Sequence, residues 1–217
     1  MKRRTFIKQT ALAGTSAILV SKTSSAFTNI LQSNTLTRPI IISTWDFKIP
    51  VNETAIQTLQ KGGSVLDAVE KAINLVEADT SITSVGCGGY PDRDGHLTLD
   101  ACIMDEKGNA GSVVFLENIM HPISVARAVM EKTPHVVLAG DGALQFAVEQ
   151  GFKKEDLLTE NSKKAYNDWL QESKYIPPIG EMNHDTIGLL VMNEDGDIAG
   201  GCSTSGMAWK IHGRVGD

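Results

Sequence analysis

The strongest constraint on the fold is a strand, a turn and a returning strand near the end of the sequence. Residues 187–192 are a continuous apolar run, and the turn that follows carries Gly196 among acidic and amide residues. An extended pattern resumes at Ile198 and continues to Gly206. This order predicts an antiparallel hairpin whose return strand brings Thr204 back to the beginning of the first strand.

Thr186 stands at the head of this hairpin, directly after Asp185. If the bond between them is cut, Thr186 becomes a new amino terminus. Its hydroxyl can then attack a carbonyl while its own α-amine, with a reference pKa of about 8, accepts the proton. The alternative interpretation is an ordinary β-branched strand residue after a turn residue, and the residues around this bond alone favour that alternative.

Three motifs follow one another along the chain: His184–Gly188, Thr204–Ala208 and His212–Asp217. In order and spacing they resemble the motifs of the glycosylasparaginases, N-terminal-nucleophile hydrolases of the asparaginase type 2 family. The resemblance runs from about Ile42 to the last residue. It implies a self-cleaving precursor and an α+β fold built as a four-layer αββα sandwich. It also implies an enzyme of glycoprotein degradation that hydrolyses the amide joining N-acetylglucosamine to asparagine.

The resemblance assigns catalytic and processing roles to four residues. Thr186 is the expected nucleophile, and Thr204 is expected to hydrogen-bond to it and tune it. His184 and Asp185 are expected to assist the cleavage by proton transfer or by holding a strained peptide.

Substrate-binding roles follow from the same resemblance. Arg214 suits the substrate α-carboxylate because a guanidinium fork matches two oxygens, and Asp217 suits the α-ammonium. Val215 and Gly216 belong to the same motif, and Trp45 is expected to contact the substrate or the precursor linker. Without the resemblance, charges in a Gly-rich tail are usually solvated, and Trp45 is a half-buried aromatic at a strand end.

Residues 1–26 are predicted to be a signal peptide. Lys2–Lys8 resembles a twin-arginine signal, a weakly apolar segment follows at Ala11–Val20, and Ser24–Ala26 suits a signal peptidase. The apolar segment is shorter than the roughly 20 residues that span a bilayer. We therefore expect export to the periplasm and no membrane attachment after the signal is removed.

The rest of the chain is predicted to be one hydrolase domain in two parts. Residues 27–185 would form the α-subunit, with a polar, linker-like segment at about 152–182 that could hold an exposed helix at Asn161–Ser173. Residues 186–217 would begin the β-subunit. Glycosylasparaginases continue past the position of Asp217, so the resemblance implies a longer protein, a 217-residue fragment inactive by itself, and self-association of α/β heterodimers.

An earlier segment, residues 96–116, faintly repeats the hairpin pattern of residues 187–206. The repeat suggests two equivalent antiparallel hairpins, one in each of two stacked sheets, with helices outside them. Arg38–Trp45 reads as the first core strand, and residues 135–140 read as another buried strand.

Net charge and the distribution of histidine and cysteine limit the kinds of ligand and partner that this protein can be expected to bind. The net charge of -6 argues against nucleic acid or an anionic membrane. The histidines are scattered singly, so we expect neither a metal site nor a cofactor. The sequence has 3 cysteines, Cys87, Cys102 and Cys202, which cannot all pair within one chain. An exported protein could hold one disulfide, and the sequence does not select its pair.

Two other functions remain open. The related plant-type asparaginases and isoaspartyl peptidases share the fold and the nucleophile, although His184-Asp185 and Ser205–Ala208 favour the glycosylasparaginase interpretation. A non-catalytic exported remnant is the second alternative, which an intact Asp185–Thr186 bond would indicate.

Overall fold

The computed structural model describes residues 37–172 and 186–216. Within these ranges the strands are β1 (Ile40–Ser43), β2 (Thr98–Met104), β3 (Ala110–Glu117), β4 (Val137–Ala139), β5 (Ile187–Met192) and β6 (Ile198–Thr204). The helices are α1 (Val51–Gln60), α2 (Val65–Ala78), α3 (Pro122–Lys132), α4 (Gly140–Glu149) and α5 (Glu160–Glu172), with a short 3-10 turn at Gly86–Gly88. The mixed α+β class is therefore confirmed.

All of these strands belong to one sheet, in the order β1-β5-β6-β2-β3-β4. The predicted hairpins form as β2–β3 and β5–β6, and every pairing is antiparallel except that of β3 with β4. The prediction that the hairpins lie in two different sheets is wrong, because β6 pairs directly with β2. Sequence similarity between hairpins says nothing about which strands become neighbours.

Helices α2 and α3 cover one face of this sheet. Ile187, Leu189 and Val191 alternate along β5 and are all buried against them. Gly201 on β6 leaves the space that the helices need: a Cβ there would lie 2.8 Å from Val69 and 3.2 Å from Ile123. The period-2 alternation of the strands thus meets the apolar stripes of the helices in one core.

Local side chains set the beginning of helix α2. Ser64 caps it in a reciprocal capping box with Asp67. Arg127 on α3 then donates to Asp67 and Glu70 on α2, at 2.7 Å in both cases. These ion pairs fix the two helices side by side over the sheet.

The opposite face of the sheet is apolar and uncovered in the described part of the chain. Ile42 is 59% exposed, Leu190 54% and Met104 51%, although each lies on a strand. Val137 is also exposed. The predicted buried strand at residues 135–140 is therefore in fact an edge strand of the sheet, β4. An exposed apolar surface of this extent marks an interaction face.

Residues 152–172, predicted as part of a linker, contain helix α5. Trp169 of this helix stacks on Trp209 with ring centroids 5.2 Å apart, and the tilted ring of Tyr166 contacts the same indole at 5.8 Å. Tyr90 stacks on the same indole at 5.2 Å. Aromatic packing therefore holds a segment whose polar composition indicated an exposed connection.

Among the described residues, no helix combines the length and the hydropathy needed to cross a membrane. The predicted signal peptide at residues 1–26 lies outside the described residues, as do residues 173–182 of the predicted linker and the three residues that precede Thr186.

Replacing Gly111 by Ala should destabilise the sheet, because a Cβ there would lie 2.1 Å from the backbone oxygen of Ala126 on α3. We expect a loss of about 1–3 kcal/mol in the free energy of unfolding, as overpacking commonly produces. Urea denaturation followed by circular dichroism measures it. Gly142→Ala is the matched control, since nothing lies within 4 Å of its Cβ position. Equal stability of the two variants would contradict the close contact of β3 with α3.

Candidate active site

Thr186, Thr204 and Asp100 form a row across three neighbouring strands. The β5–β6 register pairs Ile187 with Ser203, and one residue beyond that pair Thr186 comes opposite Thr204. The β6–β2 register pairs Thr204 with Asp100. Side chains two residues apart on a strand point to the same face of the sheet. Thr186 therefore faces the same side as Leu190, and Asp100 the same side as Met104, so the row lies at one end of the uncovered face. The prediction that the return strand brings Thr204 to Thr186 is confirmed.

Thr44, just past β1, holds the backbone on both sides of Ile187. Its hydroxyl donates to the backbone oxygen of Thr186 at 2.8 Å and accepts from the backbone nitrogen of Gly188 at 3.0 Å. The Thr44 nitrogen also donates to the Gly188 oxygen at 3.0 Å. These contacts extend the β1–β5 ladder to the beginning of β5 and fix the Thr186 backbone.

The Thr204 hydroxyl organises the turn after β6. It accepts from the backbone nitrogen of Gly206 at 2.8 Å and lies 3.3 Å from the Ser84 backbone oxygen, to which it donates. Next to it, Ser205 is fully buried, and its hydroxyl has no hydrogen-bond partner among the described residues. The hydroxyl packs closely against Gly89, where a Cβ would lie 2.6 Å from the Ser205 Oγ, so this side chain is part of the buried interior.

Asp100 ties the Arg214 loop to this row. Asp100 is buried, with 6% of its surface exposed. Its carboxylate accepts from the backbone nitrogens of Phe115 and Gly216, both at 2.7 Å. Arg214 in turn donates to the Gly216 backbone oxygen. The predicted carboxylate-binding residue is therefore held, through Gly216, beside the Thr186–Thr204 pair.

Gly206 and Lys210 pack against the loop that carries Arg214. Gly206 has φ +71°, and a Cβ there would lie 2.8 Å from the Gly216 oxygen and 2.9 Å from the Lys210 Nζ. Lys210 is buried and donates from Nζ to the Ser205 oxygen at 2.9 Å. The site thus needs glycine at position 206 and places the buried Lys210 side chain next to it.

Glu77 lies beneath the row, on the helix-covered side of β6. Its Oε1 accepts from the Ser203 hydroxyl at 2.6 Å and from the Ile123 nitrogen at 3.0 Å, and its Oε2 is 3.3 Å from His121 Nδ1. Complete burial raises the pKa of this carboxyl, while its hydrogen bonds and His121 oppose that rise. The network anchors Ser203, the neighbour of Thr204, to α2 and α3.

Trp45 is half-exposed and lines two clefts beside the beginning of β5. One, of about 410 Å³, includes Ser43, Thr44 and Phe47, and a smaller one of about 250 Å³ reaches Ser84. The larger cleft is joined to the candidate nucleophile through Thr44, which contacts the Thr186 backbone, and the smaller one through Ser84, whose backbone oxygen accepts from Thr204. Val215 is exposed, and His184, Asp185 and Asp217 lie outside the described residues.

Within the described ranges, one group of side chains has the spacing of a metal site: Asp92, Asp94 and His212, whose ligand atoms lie within 4.8 Å of one another. The Asp92 carboxylate, however, already accepts from His212 Nδ1 at 2.6 Å and from the backbone nitrogens of Asp94 and His96 at 2.9 Å. These bonds anchor the beginning of the loop that carries Arg214.

Sequence reasoning missed Asp100, Glu77 and Lys210. It placed Thr44 in a pocket wall through the family resemblance but did not predict its contact with the Thr186 backbone. Asp100 did carry a signal, because it is an acidic residue inside an otherwise apolar strand, and a buried carboxylate needs partners. Glu77 likewise interrupts the end of an apolar helical stripe. Thr44 and Lys210 carry no such signal, since their partners are distant backbone atoms.

Comparison with known proteins agrees with this geometry. A family model described as "Asparaginase" matches residues 37–217. The chain belongs to the asparaginase family. The match begins where the described structure begins and includes both hairpins, so the single sheet with its Thr186–Thr204 row is the asparaginase part of the chain.

Curated relatives within the asparaginases are similar over most of this chain. An N(4)-(beta-N-acetylglucosaminyl)-L-asparaginase of Elizabethkingia miricola is 55% identical over 99% of this chain and 63% of its own length. One of Rattus norvegicus is 40% identical over 82% of this chain and 61% of its own length. An isoaspartyl peptidase/L-asparaginase of Macaca fascicularis is 40% identical over 73% of this chain and 53% of its own length. The chain thus spans less than two thirds of these relatives, and the resemblance to glycosylasparaginases is confirmed.

Replacing Thr44 by Val should misplace the Thr186 backbone, because valine keeps the shape but loses the hydroxyl that bonds Thr186 and Gly188. A lost hydrogen bond of about 1 kcal/mol corresponds to about a fivefold lower rate of amide hydrolysis if the bond acts wholly on the transition state. Steady-state kinetics of amide hydrolysis by the full-length protein measure this rate, and Thr44→Ser should restore it. Equal rates for the valine and serine variants would contradict the role of the hydroxyl.

The raised pKa of Glu77 predicts a pH-dependent stability. A carboxyl whose pKa is higher in the folded state stabilises fully below its ordinary value of 4.5 and loses that contribution as the pH rises through the raised value. The stability of Glu77→Gln relative to the unsubstituted protein should therefore improve as the pH rises. Urea denaturation across this range measures it, with the exposed Glu53→Gln as control. A pH-independent difference would contradict the prediction.

Proposed function

We propose that this chain is the front part of a self-cleaving amidohydrolase that hydrolyses the amide of N4-(β-N-acetylglucosaminyl)-L-asparagine with Thr186 as an N-terminal nucleophile. The observation that carries the proposal is the row of Thr186, Thr204 and Asp100 on one end of the sheet. The names of the relatives from Elizabethkingia miricola and Rattus norvegicus support the substrate.

Cleavage would begin with attack of the Thr186 hydroxyl on the carbonyl carbon of Asp185. The peptide nitrogen leaves as the acyl group moves to oxygen, which frees the Thr186 α-amine. Water then hydrolyses the ester and releases the Thr186 hydroxyl and the Asp185 carboxylate. The Thr44 contacts to the Thr186 oxygen and the Gly188 nitrogen keep this residue in place while the bond before it changes. Proton transfer is assigned to His184 and Asp185.

In the mature enzyme, Thr186 would attack the side-chain amide carbon of the substrate. Its α-amine takes the hydroxyl proton and passes it to the leaving glycosylamine, and water hydrolyses the resulting ester to release aspartate. Thr204 is the neighbour best placed to tune the nucleophile, because it stands opposite Thr186 and is itself oriented by Gly206 and Ser84.

The Arg214 loop would select a free amino acid. A guanidinium binds the α-carboxylate with two hydrogen bonds, and Asp217 takes the α-ammonium. The contact of Gly216 with buried Asp100 supports this assignment, since it holds the loop at the distance of one strand from Thr204. Trp45 lines the neighbouring cleft, where the sugar would leave the site.

The whole protein would be a four-layer αββα sandwich. The support is the uncovered apolar face of the sheet, which carries Ile42, Leu190 and Met104 and needs a second sheet over it. We further propose export through the signal at residues 1–26 and association of α/β heterodimers.

Isoaspartyl peptide or asparagine hydrolysis is the second candidate, favoured by the similarity to the Macaca fascicularis protein. It uses the same nucleophile and amino-acid clamp, so only the group attached to the side-chain carbonyl distinguishes the substrates. Release of aspartate from an isoaspartyl dipeptide, faster than from glycosylated asparagine, would favour it.

Replacing Thr186 by Ala in the full-length protein should abolish self-cleavage and lower aspartate release roughly 10³-fold or more, because the nucleophile and its amine are lost together. Thr186→Ser should keep both functions at a reduced rate. Mass spectrometry follows the cleavage, and an aspartate assay follows turnover. An alanine variant that still releases aspartate, or an unsubstituted protein that stays intact, would refute the proposal.

A further inference from the structure

Cys102 and Cys202 face each other across two adjacent strands. They are Cα partners in the antiparallel pairing of β2 with β6. Directly opposed residues in such a pair have Cα atoms about 4.5–5.5 Å apart, which lies inside the range of about 4.4–6.8 Å found for disulfides. Both residues lie on the uncovered face, two positions from Asp100 and Thr204.

The two side chains also interact as thiols. Hydrogen bonding to the Cys202 side chain, against the effect of burial, lowers the pKa of the Cys102 thiol to about 7. A thiol in this range is substantially ionised at neutral pH, and the thiolate is the form that attacks a disulfide. Cys87, in contrast, is buried, and burial raises the pKa of its thiol.

We propose that Cys102 and Cys202 form a disulfide that joins strands β2 and β6. Cys102 precedes the Asp185–Thr186 bond and Cys202 follows it, so the disulfide would link the two chains that self-cleavage produces. The strand register places the two residues directly opposite each other, and both are thiols in this structure. The link between two chains, and the oxidising compartment in which it forms, rest on the proposed function.

The oxidant is a disulfide of the general form RSSR, as supplied by small thiols or thiol oxidoreductases. The Cys102 thiolate attacks one sulfur of RSSR, and RS⁻ leaves. The Cys202 thiolate then attacks the Cys102 sulfur of the mixed disulfide, and the second RS⁻ leaves. The two cysteines lose two electrons and two protons, and RSSR gains them to become two RSH.

The position of the pair is compatible with the proposed second sheet. The bond lies between neighbouring strands of one sheet, so it neither changes their pairing nor requires contact with another layer. It would form while this face is accessible, in the oxidising compartment that export implies.

The test compares reducing and non-reducing gels of the full-length protein, harvested in N-ethylmaleimide to block thiols. We expect one band at the uncleaved mass without reductant and two smaller bands with it. Proteolysis without reductant should yield one linked peptide pair that contains Cys102 and Cys202 and is two hydrogens lighter than the sum of its parts.

Variants separate this pair from the remaining cysteine. Cys102→Ser and Cys202→Ser should each give two bands without reductant, whereas Cys87→Ser should stay joined. The linked peptide in the unsubstituted protein decides the matter if a variant fails to fold. Reduced protein treated with oxidised glutathione should regain the linked peptide.

The proposal would be overturned if Cys102 and Cys202 both carried N-ethylmaleimide after treatment with oxidised glutathione, since both would then still be thiols. A band at twice the chain mass that contained either residue would also overturn it. If the chain stays uncleaved, one band appears under both conditions and the proposed function fails. The peptide masses would then still establish whether the disulfide forms.

Discussion

The pairing of β6 with β5 on one side and β2 on the other decides where every candidate site residue lies. A slip of one residue would turn Thr204 to the helix-covered face and Ser203 to the uncovered one. Ile187, Leu189 and Val191 prevent that slip because their burial against the helices fixes the face of β5. The candidate chemistry of Thr186 thus depends on apolar contacts on the other side of the sheet.

The same register gives the polar side chains on the two faces of the sheet different hydrogen-bonding roles. On the helix-covered side, Ser203 binds the buried Glu77 and secures β6. On the other side, Thr204 and Asp100 organise the turn and the loop that follow β6. Neighbouring residues of one strand therefore serve as anchor and as candidate catalytic group, which explains why so many polar side chains are buried around a small area.

Local sequence predicted the elements better than their arrangement. The Ser64 capping box, the helix that begins at Pro122 and both hairpins follow from patterns a few residues long. A residue type that favours a cap does not always form one: Asn52 lies within α1, which begins at Val51 without a side-chain cap. The merging of the hairpins into one sheet and the contact of Thr44 with Thr186 depend on partners more than 80 residues apart, and no short pattern encodes them.

Residue motifs likewise indicate the candidate nucleophile, Thr186, and the Arg214 loop, but not the contacts that hold them in place. Thr186 and Arg214 were recognisable because their types and neighbours matched a family. Asp100 and Lys210 act by accepting from or donating to backbone atoms, and any loop of suitable path can supply such atoms.

The stacking of α5 on Trp209 has a consequence for the fate of a cut chain. Because Tyr166 and Trp169 hold the helix against Trp209, a residue that follows Thr186, aromatic packing joins the described chain before residue 173 to the described chain after residue 185. A break of the backbone anywhere between them would leave this packing in place. The two products would then be held together by side-chain contacts rather than by a peptide bond.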